Sequence, residues 1–168
     1  YTFSNLLKIS NKSFIKSMNT FEGLAHRYEI FLRKKNVTFI NDSKATSFES
    51  SKLALANGKN IYWILGGLPK PKDKLNLKNL KKNIIKSYII GKNINYFRKQ
   101  LKGKVNFSIT RNLSNSIIKI LNDIKLSKRI DNIVLLSPAA ASFDQFKNFE
   151  NRGNQFKNLC NLYAKKYI

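Results

Sequence analysis

The chain has 168 residues, 42% of them hydrophobic and 12% aromatic, which excludes a mainly disordered polymer and suits one domain, or one domain with an attached fragment. A single cysteine, Cys160, excludes an internal disulfide and a cysteine-built zinc site, and no apolar run is long enough to cross a membrane as a helix. Lys plus Arg number 32 against 9 Asp plus Glu, a formal charge of +23 that favours anionic ligands. Residues 1–20 carry a helical pattern with a break near Ser10-Asn11, and Phe14, Ile15 and Met18 recur at helical spacing. Phe21-Glu22-Gly23-Leu24 reads as a junction. Tyr28 to Leu32 and Val37 to Ile40 are two extended runs whose short connection suggests a hairpin. Ser50 to Ala56 is predicted helical, with Gly58 as its stop. Ile61 to Leu65 is a continuous apolar run, as expected of a strand covered on both faces. After a loop from Gly66 to Lys74, the spacing of Leu77, Leu80 and Ile84 predicts a helix. Tyr88 to Ile90 is a short strand ending at Gly91. Ile94, Phe97 and Leu101 mark a helix, Val105 to Ile109 a strand, and Leu113, Ile117, Ile120 and Leu121 another helical stripe. Ile133 to Leu136 is the last strand. The tail from Asp144 to Ile168 carries Phe146, Phe149, Phe156, Leu159, Leu162 and Tyr163, with a break expected at Gly153.

Strands alternating with helices at this spacing predict an α/β fold with a doubly wound, mostly parallel sheet and helices on both faces. In such a fold ligands bind beyond the carboxyl ends of the strands. The charge has two readings. Lys supplies 26 of the 32 basic residues, and Asn (22) and Ile (19) are also abundant. All three have AT-rich codons, so genome composition accounts for them without selection for binding. A nucleic-acid-binding module is one rival reading, although Arg, the usual base reader, occurs only 6 times; a remnant domain that keeps its fold without catalysis is another.

The polar residues worth weighing fall at the expected rim. Asn41-Asp42-Ser43-Lys44-Ala45-Thr46 follows the first central strand. It offers a carboxylate for ribose hydroxyls, an ammonium for a phosphate or developing charge, and a hydroxyl; alternatively, Asp42 and Ser43 cap the next helix. Gly66-Gly67 permits close backbone approach or a tight turn. Lys70 has a ligand carboxylate, solvent or Asp73 as its partner. Ser137 to Ser142 is a small-residue loop whose backbone N–H groups suit an anion, or a tight bend before the final helix. Phe143, Phe146 and Phe149 fit core packing first. His26 is the only histidine and makes no metal site or catalytic triad; Arg27 beside it is a candidate phosphate contact. Cys160 reads as a small buried hydrophobe.

Phe21-Glu22-Gly23-Leu24-Ala25-His26-Arg27, together with Asn41-Asp42-Ser43-Lys44-Ala45-Thr46, resembles the Mur ligases of peptidoglycan synthesis. The run from Leu135 to Gly153, with Ser137-Pro138-Ala139-Ala140-Ala141-Ser142-Phe143-Asp144-Gln145-Phe146 at its centre, is more specific and resembles the branch of that family that adds D-glutamate. The resemblance covers essentially the whole chain. It implies residues 1–22 as the end of a central ATP-binding domain with its linker, and residues 23–168 as a Rossmann-like carboxyl-terminal domain whose first strand is antiparallel.

The family's reaction is an ATP-dependent ligation assisted by Mg²⁺. The carboxylate of UDP-N-acetylmuramoyl-L-alanine is phosphorylated and the amine of D-glutamate attacks the acyl phosphate. By motif match, Arg27 corresponds to a phosphate contact and Asp42 to a ribose contact. Lys44 and Thr46 match residues at the reacting centre, and Lys70, Ser142, Phe143 and Phe149 match the D-glutamate pocket. The resemblance further implies a cytoplasmic, monomeric enzyme with no nucleic-acid or membrane partner. The sequence departs from the family at Ala140, where cysteine is common, at Ser47, where asparagine is common, and at Lys70-Pro71-Lys72-Asp73, which is less glycine-rich. It contains no Gly-x-x-x-x-Gly-Lys-Ser/Thr motif, and measured against the family it resembles it also lacks the magnesium-binding portion of the central domain and the UDP-binding amino-terminal domain. The chain, which opens at Tyr1, is therefore expected to be a piece of something longer and not to catalyse ligation by itself.

Overall fold

The computed structural model describes residues 2–168. Two helices, α1 (Thr2–Leu6) and α2 (Asn11–Thr20), precede a six-stranded sheet. The sheet comprises β1 (Glu29–Lys34), β2 (Val37–Asn41), β3 (Ile61–Gly66), β4 (Ile84–Ile90), β5 (Phe107–Arg111) and β6 (Asn132–Leu136), in the spatial order β1-β2-β6-β3-β4-β5. Only β1 is antiparallel; it forms a hairpin with β2 around Lys35 and Asn36, and Lys35 adopts a positive φ of 49° there. The other pairings are parallel. Four helices complete the layers: α3 (Phe48–Ala56), α4 (Ile94–Leu101), α5 (Leu113–Lys125) and α6 (Phe149–Tyr167). The doubly wound α/β expectation and the antiparallel edge both hold.

Strand alternation sorts the core onto two faces. Tyr62, Ile64, Tyr88, Val134 and Leu136 meet α5 and α6 on one side. Ile61, Trp63, Leu65, Ile89 and Leu135 meet α3 and α4 on the other. The central strand β3 is buried at every position, as its unbroken apolar run demands. β2 leads to α3 on one face, whereas its neighbour β6 leads to α6 on the opposite face. The connections leaving β2 and β6 therefore diverge and open a crevice at the carboxyl ends of these strands.

Two expected elements are corrected. There is no helix over Leu77 to Ile84. Leu75 and Leu77 are buried in an irregular segment, and only Lys81–Asn83 make a 3₁₀ turn. Ile84 instead opens β4, where it pairs with Ile61. The neighbouring β-branched Ile85 suits a strand, and sheet pairing overrides the apparent helical spacing. Nor does Gly153 break the tail: α6 runs through it. A Cβ at Gly153 would lie 2.2 Å from His26 Nδ1, so this glycine admits the histidine against the helix. Strand limits also shift: β4 begins four residues before Tyr88, and β5 spans Phe107–Arg111 instead of beginning at Val105.

Candidate functional site at the carboxyl-terminal rim of the sheet

The site begins in the core. The Trp63 indole N–H donates to the Ser137 carbonyl at 2.7 Å, and the Ser137 amide donates to the Ile64 carbonyl at 3.2 Å. Ser137, fixed in this way, donates its hydroxyl to Asp42 Oδ2 at 2.7 Å. The Tyr28 amide donates to Asp42 Oδ1 at 3.2 Å. A buried tryptophan on β3 thereby helps orient a carboxylate at the end of β2. Burial raises the Asp42 carboxyl above its ordinary range, against the opposing pull of Ser137, the Tyr28 amide and the Arg27 charge. Asp42 and Ser43 do not cap α3. Ser47 does, accepting from the Ser50 amide, and Asp73 Oδ2 accepts from the Phe48 amide at 2.8 Å. That bond gives the Asp73 carboxylate a backbone partner, and no ion pair joins it to Lys70 among the described residues.

Arg27 sits between two residues in left-handed backbone conformations, His26 (φ 65°) and Tyr28 (φ 47°). Such conformations cost about 1–3 kcal/mol each for side-chain-bearing residues and persist only where neighbours hold them. Here carboxylates grip both flanking amides: the His26 N–H donates to Glu29 Oε2 at 3.0 Å and the Tyr28 N–H to Asp42. Behind them, the Asn41 side-chain amide donates to His26 Nδ1 at 2.8 Å, which requires the Nε2–H tautomer. The Arg27 guanidinium is left exposed, without a hydrogen bond among the described residues. Arg27, Tyr28, Asp42 and Lys44 line a cleft of about 450 Å³, whose apolar wall includes Leu53 and Ala54 of α3.

Lys44 points to a second group. Its Nζ lies 3.7 Å from the centroid of the Phe149 ring, a cation–π contact at the first residue of α6. No carboxylate pairs with it among the described residues. Thr46 is half-buried and its hydroxyl makes no hydrogen bond there. The β3 and β6 loops are joined by reciprocal bonds between Leu68 and Ala141, at 2.8 and 2.9 Å. Gly66 and Gly67 have φ of 133° and 136°, and a Cβ on either would strike backbone oxygen at 2.0 or 2.3 Å. Close backbone packing, not only turning, therefore explains this pair. Ser142 is buried at the same junction with its hydroxyl unbonded.

The structure thus gathers Arg27, Asp42 and Lys44 around one cleft, places Phe149 under Lys44, and puts Ser142 in the adjoining loop. Thr46 follows Lys44 by two residues on the same rim. Lys70 and Phe143 stand apart, both exposed; Phe143 is 70% accessible, so the core placement expected for it is corrected. Cys160 is buried in the core as expected.

Sequence reasoning gave no role to Arg152, which is wholly buried in the first turn of α6. Its Nε donates to Ser43 Oγ at 3.0 Å and its Nη2 to the Ser43 carbonyl at 2.8 Å, while Nη1 has no partner. Burial lowers this guanidinium to about 10, and Asp144 opposes the shift. The signal available was scarcity: arginine occurs 6 times against 26 lysines, which makes each arginine a candidate for a planar, two-pronged donor.

No protein-family model matches the chain. Among curated proteins it is similar to three named UDP-N-acetylmuramoylalanine–D-glutamate ligase. The one from Nitrobacter hamburgensis is 42% identical over 144 residues, 86% of this chain and 31% of that protein. The Wolbachia protein associated with Brugia malayi is 39% identical over 160 residues, 95% of this chain and 31% of that protein. The Brucella abortus protein is 42% identical over 141 residues, 83% of this chain and 30% of that protein. The chain resembles these ligases through nearly its whole length and spans about a third of theirs. The nucleic-acid-binding alternative finds no support in these similarities.

Proposed function

We propose that residues 23–168 are the carboxyl-terminal domain, and residues 1–22 the end of the preceding central domain, of an ATP-dependent ligase. That enzyme joins D-glutamate to UDP-N-acetylmuramoyl-L-alanine in peptidoglycan synthesis. The observation that carries this reading is the convergence of Arg27, Asp42 and Lys44 on one cleft at the carboxyl-terminal rim. Its support is the similarity to D-glutamate ligases along the chain.

The donor set fits a nucleotide. Each Asp42 oxygen already accepts one hydrogen bond, and a carboxylate can accept about four, which leaves capacity for ribose hydroxyls. The free guanidinium of Arg27 suits a phosphate. Leu53, Ala54 and Tyr28 supply apolar surface for a base. When bound, ATP supplies the phosphoryl group that activates the sugar peptide's carboxylate.

The chain's own task is then to hold D-glutamate. Lys44 offers an ammonium to a carboxylate, and Phe149 keeps that ammonium in place. Thr46 and Ser142 offer free hydroxyls; the motif match also assigns Lys70 and Phe143 to D-glutamate, although both stand exposed and apart from the cleft. Fixing the amine near the activated carbonyl is a positioning task that needs no covalent protein intermediate. Mg²⁺ is a different matter. No group of three His, Cys, Asp or Glu among the described residues could hold a metal; following the resemblance, this reading assigns magnesium mainly to the central domain. The enzyme is proposed to be cytoplasmic and monomeric, and the piece 1–168 inactive by itself. No helix of the described residues is long and apolar enough to cross a membrane.

The test is an NMR titration of the chain with D-glutamate, L-glutamate and ADP. D-glutamate should move the Lys44, Thr46, Ser142 and Phe149 amides more than L-glutamate does, and ADP should move Arg27, Tyr28 and Asp42. Equal responses to the two enantiomers, or shifts scattered away from the rim, refute the reading. Separately, the purified piece should release no phosphate from ATP when given both substrates.

A further inference from the structure

Arg152 presents a physical puzzle. It is wholly buried, belongs to none of the ion pairs among the described residues, and leaves one nitrogen unbonded. A buried cation in such surroundings generally lowers stability relative to a well-packed apolar side chain. Its compensation here is local. Nε and Nη2 grip both the hydroxyl and the carbonyl of Ser43, at 3.0 and 2.8 Å. The Ser43 hydroxyl then donates to the Phe149 carbonyl at 2.8 Å. Phe149 and Arg152 lie one turn apart at the start of α6, so the three residues form a closed loop of bonds joining that helix to the segment after β2. Ser43 stands between Asp42 and Lys44. On the far side, Nη1 lies close to the β3 loop: a Cβ on Gly67 would come within 3.3 Å of it.

From this geometry we infer that Arg152 is a positioning residue for the ligand site: through Ser43 it locks the segment after β2 to the first turn of α6, and so holds the Lys44 ammonium over the Phe149 ring. Its ligand consequence rests on the D-glutamate reading above, whereas the lock itself does not. The guanidinium need not touch a ligand. Its two-pronged contact with one residue fixes the backbone on either side of that residue, which a flexible ammonium with a single point of charge cannot do equally well. A loose Lys44 would still be a cation, but one no longer directed at the rim.

The experiment follows the Lys44 side chain directly. In the full chain, the Lys44 Nζ lies 3.7 Å over the Phe149 ring, so the signals of the adjacent ε-methylene protons are expected upfield of those of the other lysines. Arg152→Lys and Ser43→Ala should each move the Lys44 signals back toward the others while the Trp63 indole signal stays dispersed. D-glutamate should then bind roughly tenfold more weakly or worse. Should Arg152→Lys fail to fold, Ser43→Ala tests the same lock with the arginine intact. An upfield Lys44 signal that persists in Ser43→Ala, or one absent from the unmodified chain, overturns the inference. If the unmodified chain binds no D-glutamate, the ligand reading fails, and the Lys44 signals still decide whether Arg152 sets the pair.

Discussion

The first two dozen residues and the rest of the molecule use similar side chains to opposite effect. α2 is properly started: Ser10 caps it, its hydroxyl accepting from the Ser13 amide. Yet no residue of α2 is buried, and Ile15, Met18, Phe21 and Leu24 all face solvent. α5 is likewise capped, by Asn112, and carries a comparable stripe, but Ile117, Ile120, Leu121 and Ile124 are buried against the sheet. Caps and spacing suffice to set helical pattern in both. Only α5 has a surface to bury its stripe against, and burial supplies most of a helix's stability in a protein.

That contrast can be broken most sharply at Trp63. Trp63→Ala should destabilise the chain by about 3–5 kcal/mol in urea unfolding, because it opens a cavity and removes a donor from the Ser137 carbonyl. Met18→Ala and Ile15→Ala should remain within about 0.5 kcal/mol. A comparable loss from the α2 variants would show that the amino-terminal helices pack as part of the same cooperative unit.

Gly153→Ala sharpens the comparison at one position. Alanine is the better helix former by about 1 kcal/mol, but its Cβ would meet the His26 ring. The clash should win, with a net loss of about 1–3 kcal/mol and a perturbed His26 ring signal. A stabilised variant would mean that His26 moves aside freely.

Two carboxylates should respond to acid in opposite senses. Asp123 is partly buried, which by itself raises its carboxyl, but hydrogen bonds from Lys86 and Tyr88, both at 2.7 Å, outweigh this and lower it on balance. It contributes stability above the unfolded carboxylate range, and that contribution disappears as pH falls through the lowered folded value. Asp123→Asn should therefore lose about 1 kcal/mol at pH 7, and progressively less as pH falls below the ordinary carboxylate range. For Asp42 the sign reverses. Burial raises its folded value, so its favourable contribution is present at low pH and declines as pH rises through that value. Asp42→Asn should be no less stable than the parent chain at pH 7, while ADP binding weakens. Unfolding curves from pH 3 to 8 check both; parallel pH profiles for the two variants would contradict the assignment.

Much of the rim was legible in sequence because each strand-end segment is local. The hairpin, β3 and β6 showed themselves by period and by their bounding polar residues, and the runs containing Asp42, Lys44 and Ser142 stood where an α/β sheet puts its ligands. Less visible was anything that depends on two distant segments meeting. Ile84 fitted a helical spacing until its pairing with Ile61 made it a strand residue. Asp42 looked as much like a cap as a site residue until Ser137, 95 positions away, was seen to donate to it.

The order of residues alone determined that strands and helices alternate, that polar segments follow the strands, and that the chain carries a large excess of lysine. Those properties depend on spacings of a few residues, over which backbone geometry repeats. Folding decided that His26 is buried, that Gly153 lies within a helix, and that Arg152 grips Ser43 across 109 positions of chain. Packing and hydrogen bonding act on proximity in space, and a residue's distant neighbours exist only after the sheet has brought its loops to one edge.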